Sequence, residues 1–306
     1  MAVRTRIGTV LSRSTLTPHL VRITLDVGDL PTTGIADEYI RLMVPVRATA
    51  DGPQALPAGA EVVLPEIDDE WNVTWPEGVE PPEYRVYTIS DHRWVDGVAQ
   101  IDVDIALHDA GVGSDWARTV EPGSRIGFVE PHGLYKPADS VPWQLLVCDI
   151  TGLPALARIL RGLESGQRVE AVVVLTDERD RIPLPSAADV DVEWVVVDRD
   201  TDTCAALEEA VTRRELPQEG PRYVWLAGEA RASRAIRRHL RRELGWPQAD
   251  FYTCGYWQIE KEKWEARFEE VEEQVLAESR RAQAELADDE GAFLDAIDEI
   301  YEKAGL

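Results

Sequence analysis

The residue types best suited to chemistry in the first third of the chain lie in segment 85–90, Arg-Val-Tyr-Thr-Ile-Ser. Side chains alternate along a strand, which predicts two faces: Arg85, Tyr87 and Ile89 on one, Val86, Thr88 and Ser90 on the other. A guanidinium can neutralise a pyrophosphate, a flat aromatic ring can cover a planar cofactor, and a hydroxyl can bond its edge. Ordinary strand pairing uses the same residue types, so this segment alone leaves both interpretations open.

A glycine-containing turn further along the chain is a second candidate. Segment 107–117 reads Leu-His-Asp-Ala-Gly-Val-Gly-Ser-Asp-Trp-Ala and should open a short helix. Free backbone N–H groups at such a turn can bind a phosphate. The alternative is a plain strand-to-helix connection with Ser114 as the helix cap. The candidate binding residues here are His108, Gly113, Ser114 and Trp116.

The strand predicted at 144–148 is followed at once by helix-start signals. Asp149 or Thr151 can cap the following helix, and Pro154 suits its first turn. In a parallel sheet, ligands bind in the crevice outside the carboxyl ends of the strands. Thr151 is therefore a candidate ligand contact, although a well-capped helix without a ligand explains the residues equally well.

The strand end at 225–229, Trp-Leu-Ala-Gly-Glu, repeats this design and offers Gly228 and Glu229. Tyr256 and Trp257 follow later and could cover a nicotinamide or flavin face. There is no GxGxxG fingerprint at the first strand–helix turn of this half.

The first third of the chain is rich in short β-type runs separated by turns of Gly, Pro and Asp. The predicted strands cover residues 21–27, 39–44, 84–89, 100–107 and 125–129. This pattern predicts an antiparallel barrel or sandwich. The polar segment 47–83 is predicted to be a long loop or an inserted hairpin.

From residue 143 onward, strands alternate with helices, which predicts a mostly parallel sheet covered on both faces. The predicted strands are 144–148, 169–175, 192–197 and 223–227, and the helices are 153–163, 204–214 and 232–244. The apolar residues at 264, 268, 271 and 275 predict an amphipathic helix. Residues 288–291 should break it before a last short helix, and this tail packs on the body or on a second subunit.

Composition excludes several classes of function. The chain has 32 Lys plus Arg against 57 Asp plus Glu, a formal charge of −25, which would repel nucleic acid. No apolar run approaches the roughly 20 residues of a membrane span, and the first residues do not predict a signal peptide. We expect no membrane partner and a cytoplasmic location. Cys148, Cys204 and Cys254 show no paired spacing, so we expect reduced thiols and no structural metal.

In combination, these motifs resemble the siderophore-interacting protein family, the FAD-containing ferric-siderophore reductases, over about residues 4–258. The resemblance implies an α/β plus β architecture: an N-terminal antiparallel FAD-binding β-barrel, a C-terminal α/β nucleotide-binding domain with a parallel sheet, and a C-terminal helical extension. The expected domains are 1–140, 141–258 and 259–306. The resemblance also implies noncovalent FAD as cofactor and NADH or NADPH as co-substrate.

By this resemblance, Arg85, Tyr87 and Thr88 hold FAD in the barrel, with Thr88 near the reactive edge of its ring. The cofactor-binding set implied is Arg85, Val86, Tyr87, Thr88, Ser90, His108, Gly113, Ser114, Trp116, Thr151, Gly228, Glu229, Tyr256 and Trp257. Of these, Thr151, Gly228, Glu229 and Tyr256 form the nicotinamide-dinucleotide crevice. Ser90 stands where family members usually carry a second arginine, which weakens the phosphate-binding inference.

The implied function is transfer of electrons from the dinucleotide through FAD to a ferric siderophore. Two alternatives remain open: a ferredoxin-reductase-like enzyme with a protein or quinone acceptor, and a flavin-free siderophore-binding adaptor. For the donor, Asp177 and Glu178 favour a ribose hydroxyl, whereas Arg179 and Arg181 favour a 2′-phosphate. The balance leans slightly to NADH.

An anionic ferric siderophore needs local positive charge in so acidic a chain. Lys261 and Lys263 follow the predicted flavin-covering aromatics and are the favoured docking residues, although they could instead pair with neighbouring glutamates. The arginine-rich helix at 231–242 is the next candidate, and a solvated helix face is the simpler explanation for it. The C-terminal helix also allows a homo-oligomer.

Overall fold

The computed structural model describes residues 5–47, 49, 53–68, 72–109, 111–138, 141–259 and 261–306. Side chains 261, 262, 265 and 290 lie outside the description. Two compact units are present. The barrel unit comprises Met1–Lys136, Ile150–Ser165 and Asp177–Ala188, and the sheet unit comprises Pro137–Asp149, Gly166–Thr176 and Asp189–Leu306. The contiguous domain boundaries expected from the sequence stay a prediction.

The barrel unit is built on antiparallel strands. The strands are β1 (Thr5–Thr17), β2 (Leu20–Asp26), β3 (Tyr39–Val44), β4 (Val46–Arg47), β5 (Gln54–Ala55), β6 (Glu66–Ile67), β7 (Val73–Thr74), β8 (Glu83–Val95), β9 (Val98–Ala106) and β10 (Arg125–His132). Six of them close a barrel in the order β1-β10-β3-β8-β9-β2. The pairs β4–β5 and β6–β7 form short ladders within the segment predicted as a loop or inserted hairpin.

Two helices belong to the barrel unit. Helix α1 (Val112–Thr119) turns Trp116 and Ala117 into the apolar barrel core, where both are completely buried. Helix α2 (Leu153–Gly162) packs against β8 and is mostly buried and apolar. Pro154 lies in the first turn of α2, as the sequence predicts.

The sheet unit contains the α/β half of the chain. Its strands are β11 (Trp143–Asp149), β12 (Arg168–Leu175), β13 (Asp189–Val196), β14 (Arg222–Glu229) and β15 (Phe251–Trp257). All neighbours pair in parallel, in the order β13-β12-β11-β14-β15. Helices α3 (Asp200–Thr212) and α4 (Ala230–Arg238) share an apolar core with the strands, and a π-helical turn (His239–Glu243) extends α4. The predicted parallel sheet is confirmed.

The chain ends in a helical hairpin within the sheet unit. Helices α5 (Lys261–Glu285) and α6 (Glu290–Ala304) pack their apolar faces together, with Val275 and Ile300 buried between them. A break between the two helices is present, but it spans residues 286–289 and not 288–291, because the Asp289 side chain accepts from Ala292 N at 2.9 Å and caps α6 already before Glu290. No helix in the described part of the chain is both long and apolar enough to cross a membrane.

Candidate functional site

Strand β8 carries the first group of candidate residues, and its two faces differ as the sequence predicts. Ile89 is completely buried in the barrel core and Tyr87 packs against it, whereas Val86 on the other face is 55% exposed. Farther along that other face the side chains are covered again, since Thr88 and Ser90 are both buried. The strand therefore passes from solvent into the interior at Thr88.

Strand β8 carries two hydroxyl oxygens, those of Tyr84 and Thr88, that are buried without a hydrogen-bond partner among the described residues. Thr88 is only 5% exposed, yet its Oγ1 has no hydrogen-bond partner among the described residues. Ser90 differs, because its hydroxyl donates to the backbone oxygen of Asp102 at 3.1 Å. Buried polar atoms are almost always hydrogen-bonded, so the Thr88 hydroxyl is placed to meet a group outside the protein.

Arg85 and Tyr87 border Gly113 at the first turn of α1. A Cβ added to Gly113 would lie 1.9 Å from the Tyr87 hydroxyl oxygen, so only glycine allows this approach. Burial raises the pKa of Tyr87 to about 12, against the opposing charge of Arg85, and the phenol stays neutral at physiological pH. Arg85 donates to the Tyr84 carbonyl at 2.8 Å and pairs with Glu83.

The turn before α1 is not capped by Ser114, contrary to one interpretation of the sequence. The capping position is Gly111, whose φ of 135° suits glycine, and no side chain caps the helix. Ser114 lies inside the first turn and accepts from the backbone N–H of His108 at 2.9 Å. The interpretation of Ser114 as helix cap is thus wrong. His108 is exposed at this turn, and Ala110 lies outside the described residues.

Trp116 lies deeper than its neighbours at this turn. Its side chain is completely buried in the barrel core, because α1 is amphipathic and directs this ring inward. Its indole N–H has no hydrogen-bond partner among the described residues, and the cofactor contact that the resemblance implies for Trp116 stays a prediction.

In the sheet unit, a hydrogen bond crosses the carboxyl ends of three neighbouring strands. Trp257 of β15 donates its indole N–H to Asp149 Oδ2 of β11 at 2.7 Å. Between them lies Gly228 of β14, where an added Cβ would be 2.6 Å from the same carboxylate oxygen. The absence of a side chain at Gly228 lets Asp149 lie over β14, and the bond to Asp149 holds the half-buried Trp257 ring at the strand ends.

Glu229 is fully buried and has an internal role. Its Oε2 accepts from the backbone N–H groups of Arg231 at 2.7 Å and Ala232 at 3.0 Å, which caps α4. Its Oε1 accepts from Ile259 N at 3.3 Å. Both oxygens of Glu229 are thus engaged within the protein and organise the strand end, and the expected contact of Glu229 with the dinucleotide stays a prediction.

The remaining candidates lie in different places. Thr151 is a half-buried turn residue in the barrel unit, and Tyr256 is half-buried in β15 of the sheet unit. Neither Asp149 nor Thr151 caps α2, since the capping position is Gly152 without a side-chain bond, and this expectation is wrong. Lys263 lies exposed in the first turn of α5, whereas the Lys261 side chain falls outside the described residues.

Two family models match consecutive parts of the chain, which together make up most of it. Residues 9–135 match a siderophore-interacting FAD-binding domain, and residues 141–260 match siderophore-interacting protein. The chain belongs to the siderophore-interacting protein family.

Named members of this family and a solved structure extend over most of the chain. The NADPH-dependent ferric-chelate reductase of Escherichia coli (strain K12) is 27% identical over 65% of this chain and 74% of its own length. Ferric vibriobactin reductase ViuB of Vibrio cholerae is 27% identical over 82% of this chain and 88% of its own. The crystal structure of a siderophore utilization protein from T. fusca is 26% identical with a TM-score of 0.68, covering 85% of this chain and 94% of that one.

The barrel residues of this siderophore-interacting protein fit FAD. The Thr88 hydroxyl, which has no partner among the described residues, can hydrogen-bond the edge of the flavin ring. Gly113 has no side chain, so the Tyr87 hydroxyl can lie against the backbone of the turn before α1. The sequence analysis named both Asp149 and Trp257 but did not predict the hydrogen bond between them. The sequence signal for this bond was an acidic residue at the end of an apolar strand.

Proposed function

We propose that this protein is an FAD-dependent reductase that transfers electrons from NADH or NADPH to a ferric siderophore and releases the iron as Fe(II). The observation that carries the proposal is the buried hydroxyl of Thr88, which has no hydrogen-bond partner among the described residues and lies on the same strand as Arg85 and Tyr87. A hydrogen bond to a flavin edge would satisfy this hydroxyl. The names of the Escherichia coli and Vibrio cholerae relatives support the ferric acceptor.

Each barrel residue has a binding task in this proposal. Arg85 neutralises charge on the pyrophosphate, Tyr87 borders the ring, and Thr88 bonds its edge. FAD, when bound, accepts a hydride and passes on single electrons, which matches a two-electron donor to a one-electron ferric acceptor. Siderophore oxygen donors prefer the harder ferric ion, so reduction loosens the iron.

We infer that the dinucleotide binds at the carboxyl ends of the sheet strands, where Gly228, Tyr256 and Trp257 lie. The choice between NADH and NADPH depends on the segment after β12. There the Asp177 carboxylate accepts from the side chain and backbone N–H of Arg179, and these bonds lower its pKa to about 2. The carboxylate is thus already engaged, and the Escherichia coli relative is named NADPH-dependent. The slight lean to NADH stays a prediction, which flavin reduction rates with the two dinucleotides decide.

The iron complex is proposed to approach near the start of α5, where Lys263 is exposed and Lys261 begins the helix. Both lysines would attract an anionic chelate at short range. A cytoplasmic location and a homo-oligomer through the C-terminal helix stay predictions from the sequence.

The proposal is tested on purified protein incubated with FAD and freed of excess cofactor. Acid precipitation should release the flavin into the supernatant, because the binding is noncovalent. The loaded protein should then reduce a ferric siderophore with NADH or NADPH, with Fe(II) trapped by a ferrous-specific chelator. Protein that binds no FAD, or loaded protein that yields Fe(II) no faster than free FAD, would overturn the proposal.

A further inference from the structure

The side chain of Glu38, just before β3 in the barrel unit, is completely buried. Its Oε2 accepts from the backbone N–H and the hydroxyl of Thr33, each at 2.6 Å. Its Oε1 accepts from the Thr32 hydroxyl at 2.7 Å and from Arg158 Nη2 at 2.6 Å. Burial raises the pKa of Glu38, but the bonds from Thr33, Thr32 and Arg158 outweigh burial and leave it lowered.

The same guanidinium reaches the flavin-binding strand. Arg158 lies on α2, and its Nη1 donates to the backbone oxygen of Ile89 at 2.7 Å. The backbone N–H of Ile89 donates in turn to the backbone oxygen of Glu38 at 2.8 Å. These three bonds form a closed ring, in which both polar backbone groups of Ile89 are held by the Glu38–Arg158 pair.

The bonds from Arg158 and Glu38 reach β8 at the point where its pairing with the neighbouring strands is interrupted. Its pairing with β3 ends at Tyr39 and Thr88, and its pairing with β9 is irregular between Ile89 and Asp91. A β-bulge at this point leaves ladder groups without strand partners. The arginines of α2 supply the missing bonds, since Arg161 also donates to the backbone oxygen of Ser90.

We propose that Glu38 and Arg158 are positioning residues that fix the Thr88 hydroxyl for FAD by holding the next peptide group of β8. The inference rests on the proposed function. Arg158 acts through its planar fork, which serves Glu38 with one nitrogen and Ile89 with the other, and a lysine ammonium cannot reproduce this geometry. Thr88 itself has no bond within the described protein that would hold its side chain.

The test compares Arg158→Met and Arg158→Lys with the parent, in the full chain. The readouts are the dissociation constant for FAD, the absorption maxima of bound flavin and the melting temperature. Arg158→Met should raise the dissociation constant about tenfold and shift the flavin absorption, because Ile89 loses a buried hydrogen bond beside Thr88. Arg158→Lys keeps a charge opposite Glu38, so it should regain most of the melting temperature but not the parent's FAD affinity or spectrum.

The matched control is Arg22→Met, which removes a bidentate pair with Asp104 on β2 and β9 of the same barrel. It should lower the melting temperature while leaving the FAD spectrum and affinity at parental values. If Arg158→Met does not fold, Arg158→Lys alone decides the comparison.

Parental FAD affinity and spectrum in both folded Arg158 variants, or in Arg158→Lys when it is the only one to fold, would overturn the positioning role and leave the proposed function intact. Equal spectral changes in Arg22→Met would also overturn it, since any loss of barrel stability would then suffice. Parent protein that takes up no FAD would overturn the proposed function and this inference with it.

Discussion

A hydroxyl that is buried without a partner costs a folded protein about 1–3 kcal/mol. Within the part of the chain that the structure describes, Thr88 carries such a group. Gly113 shows the complementary case, in which a missing side chain makes room for the Tyr87 hydroxyl. At both positions, the atoms within a few ångströms of the side chain explain why threonine or glycine is present. A sequence alone shows the residue types but not these distances.

Thr88→Val should therefore act in opposite directions on stability and on cofactor binding. Valine has nearly the same shape and removes the unsatisfied hydroxyl, so the FAD-free protein should gain about 1 kcal/mol in free energy of unfolding. FAD affinity should fall, since the ring edge loses its bonding partner. Urea unfolding and FAD titration measure the two effects, with Thr88→Ser as the control that keeps a hydroxyl. A destabilised FAD-free Thr88→Val protein would show that the hydroxyl has a partner in the fold.

Gly113→Ala should displace the Tyr87 ring, because its Cβ would overlap the hydroxyl oxygen. We expect lower stability and weaker FAD binding. Tyr87→Phe removes the overlapping oxygen, so the Gly113→Ala, Tyr87→Phe double variant should be more stable than additive single effects predict, by about 1–3 kcal/mol. Strict additivity in the double-mutant cycle would contradict the close approach.

At the scale of elements, periodicity predicted most strands and helices, and the failures have physical reasons. Strand β1 was not predicted, because its second half is largely exposed and polar, a composition that is typical of loops. Strand β15 escaped because its side chains are mostly half-buried, without the continuous apolar run of its neighbours. The strand that carries the candidate residues 85–90 was predictable from the sequence, whereas the contact of Arg158 on α2 with β8 was not.

The contacts of the arginine-rich helix α4 with α6 were likewise not predicted from the sequence. Arg237 is buried and binds Asp295 at 2.8 Å and Asp298 at 3.2 Å, both on α6. Arg242 pairs with Glu299 of the same helix at 2.9 Å. The acidic helix α6 thus neutralises much of the positive charge of the arginine-rich segment 231–242. This segment is therefore neither a fully solvated helix face nor a fully open docking surface.

Arg237→Met should loosen α6, because the half-buried Asp298 loses its bond to Arg237 and Asp295 keeps only its pair with Arg241 among the described residues. The two carboxylates are partly exposed, so the loss of stability should be smaller than the roughly 3–5 kcal/mol of a fully buried ion pair. Thermal unfolding and amide hydrogen exchange should show earlier melting and faster exchange in α6. Arg213→Met is the control, since the partner of Arg213 among the described residues is an exposed glutamate, Glu209, one turn earlier on the surface of α3. Unchanged exchange in α6 would contradict a clamping role for Arg237.

The pH dependence of this contact follows from Asp298. Burial raises its pKa, and the charge of Arg237 offsets this only in part. A carboxyl with a raised pKa in the folded state contributes stability at low pH that is lost as pH rises through that pKa. Asp298→Asn removes this loss, so its melting temperature relative to the parent should be higher at pH 7 than at pH 4. A relative melting temperature that falls between pH 4 and pH 7 would contradict it.

At the scale of the whole molecule, the charge of −25 opposes the approach of an anionic chelate. The Debye length is about 8 Å at physiological salt, so lysines near the docking point can dominate the last step. The double variant Lys261→Glu, Lys263→Glu should slow reoxidation of the reduced protein by an anionic ferric siderophore and leave reduction by the dinucleotide unchanged. Added salt should shrink the difference from the parent. Equal reoxidation rates at low salt would place docking elsewhere.

The central claim is electron transfer from a nicotinamide dinucleotide through FAD to a ferric siderophore. Anaerobic stopped-flow absorbance tests it most directly, by following flavin bleaching with NADH or NADPH and then recovery with each acceptor. The predicted result is recovery with ferric siderophore at a rate that accounts for steady-state turnover, and faster than with a ferredoxin-type protein or a quinone. Slow recovery with every ferric siderophore, together with fast recovery with a protein or quinone, would contradict the account.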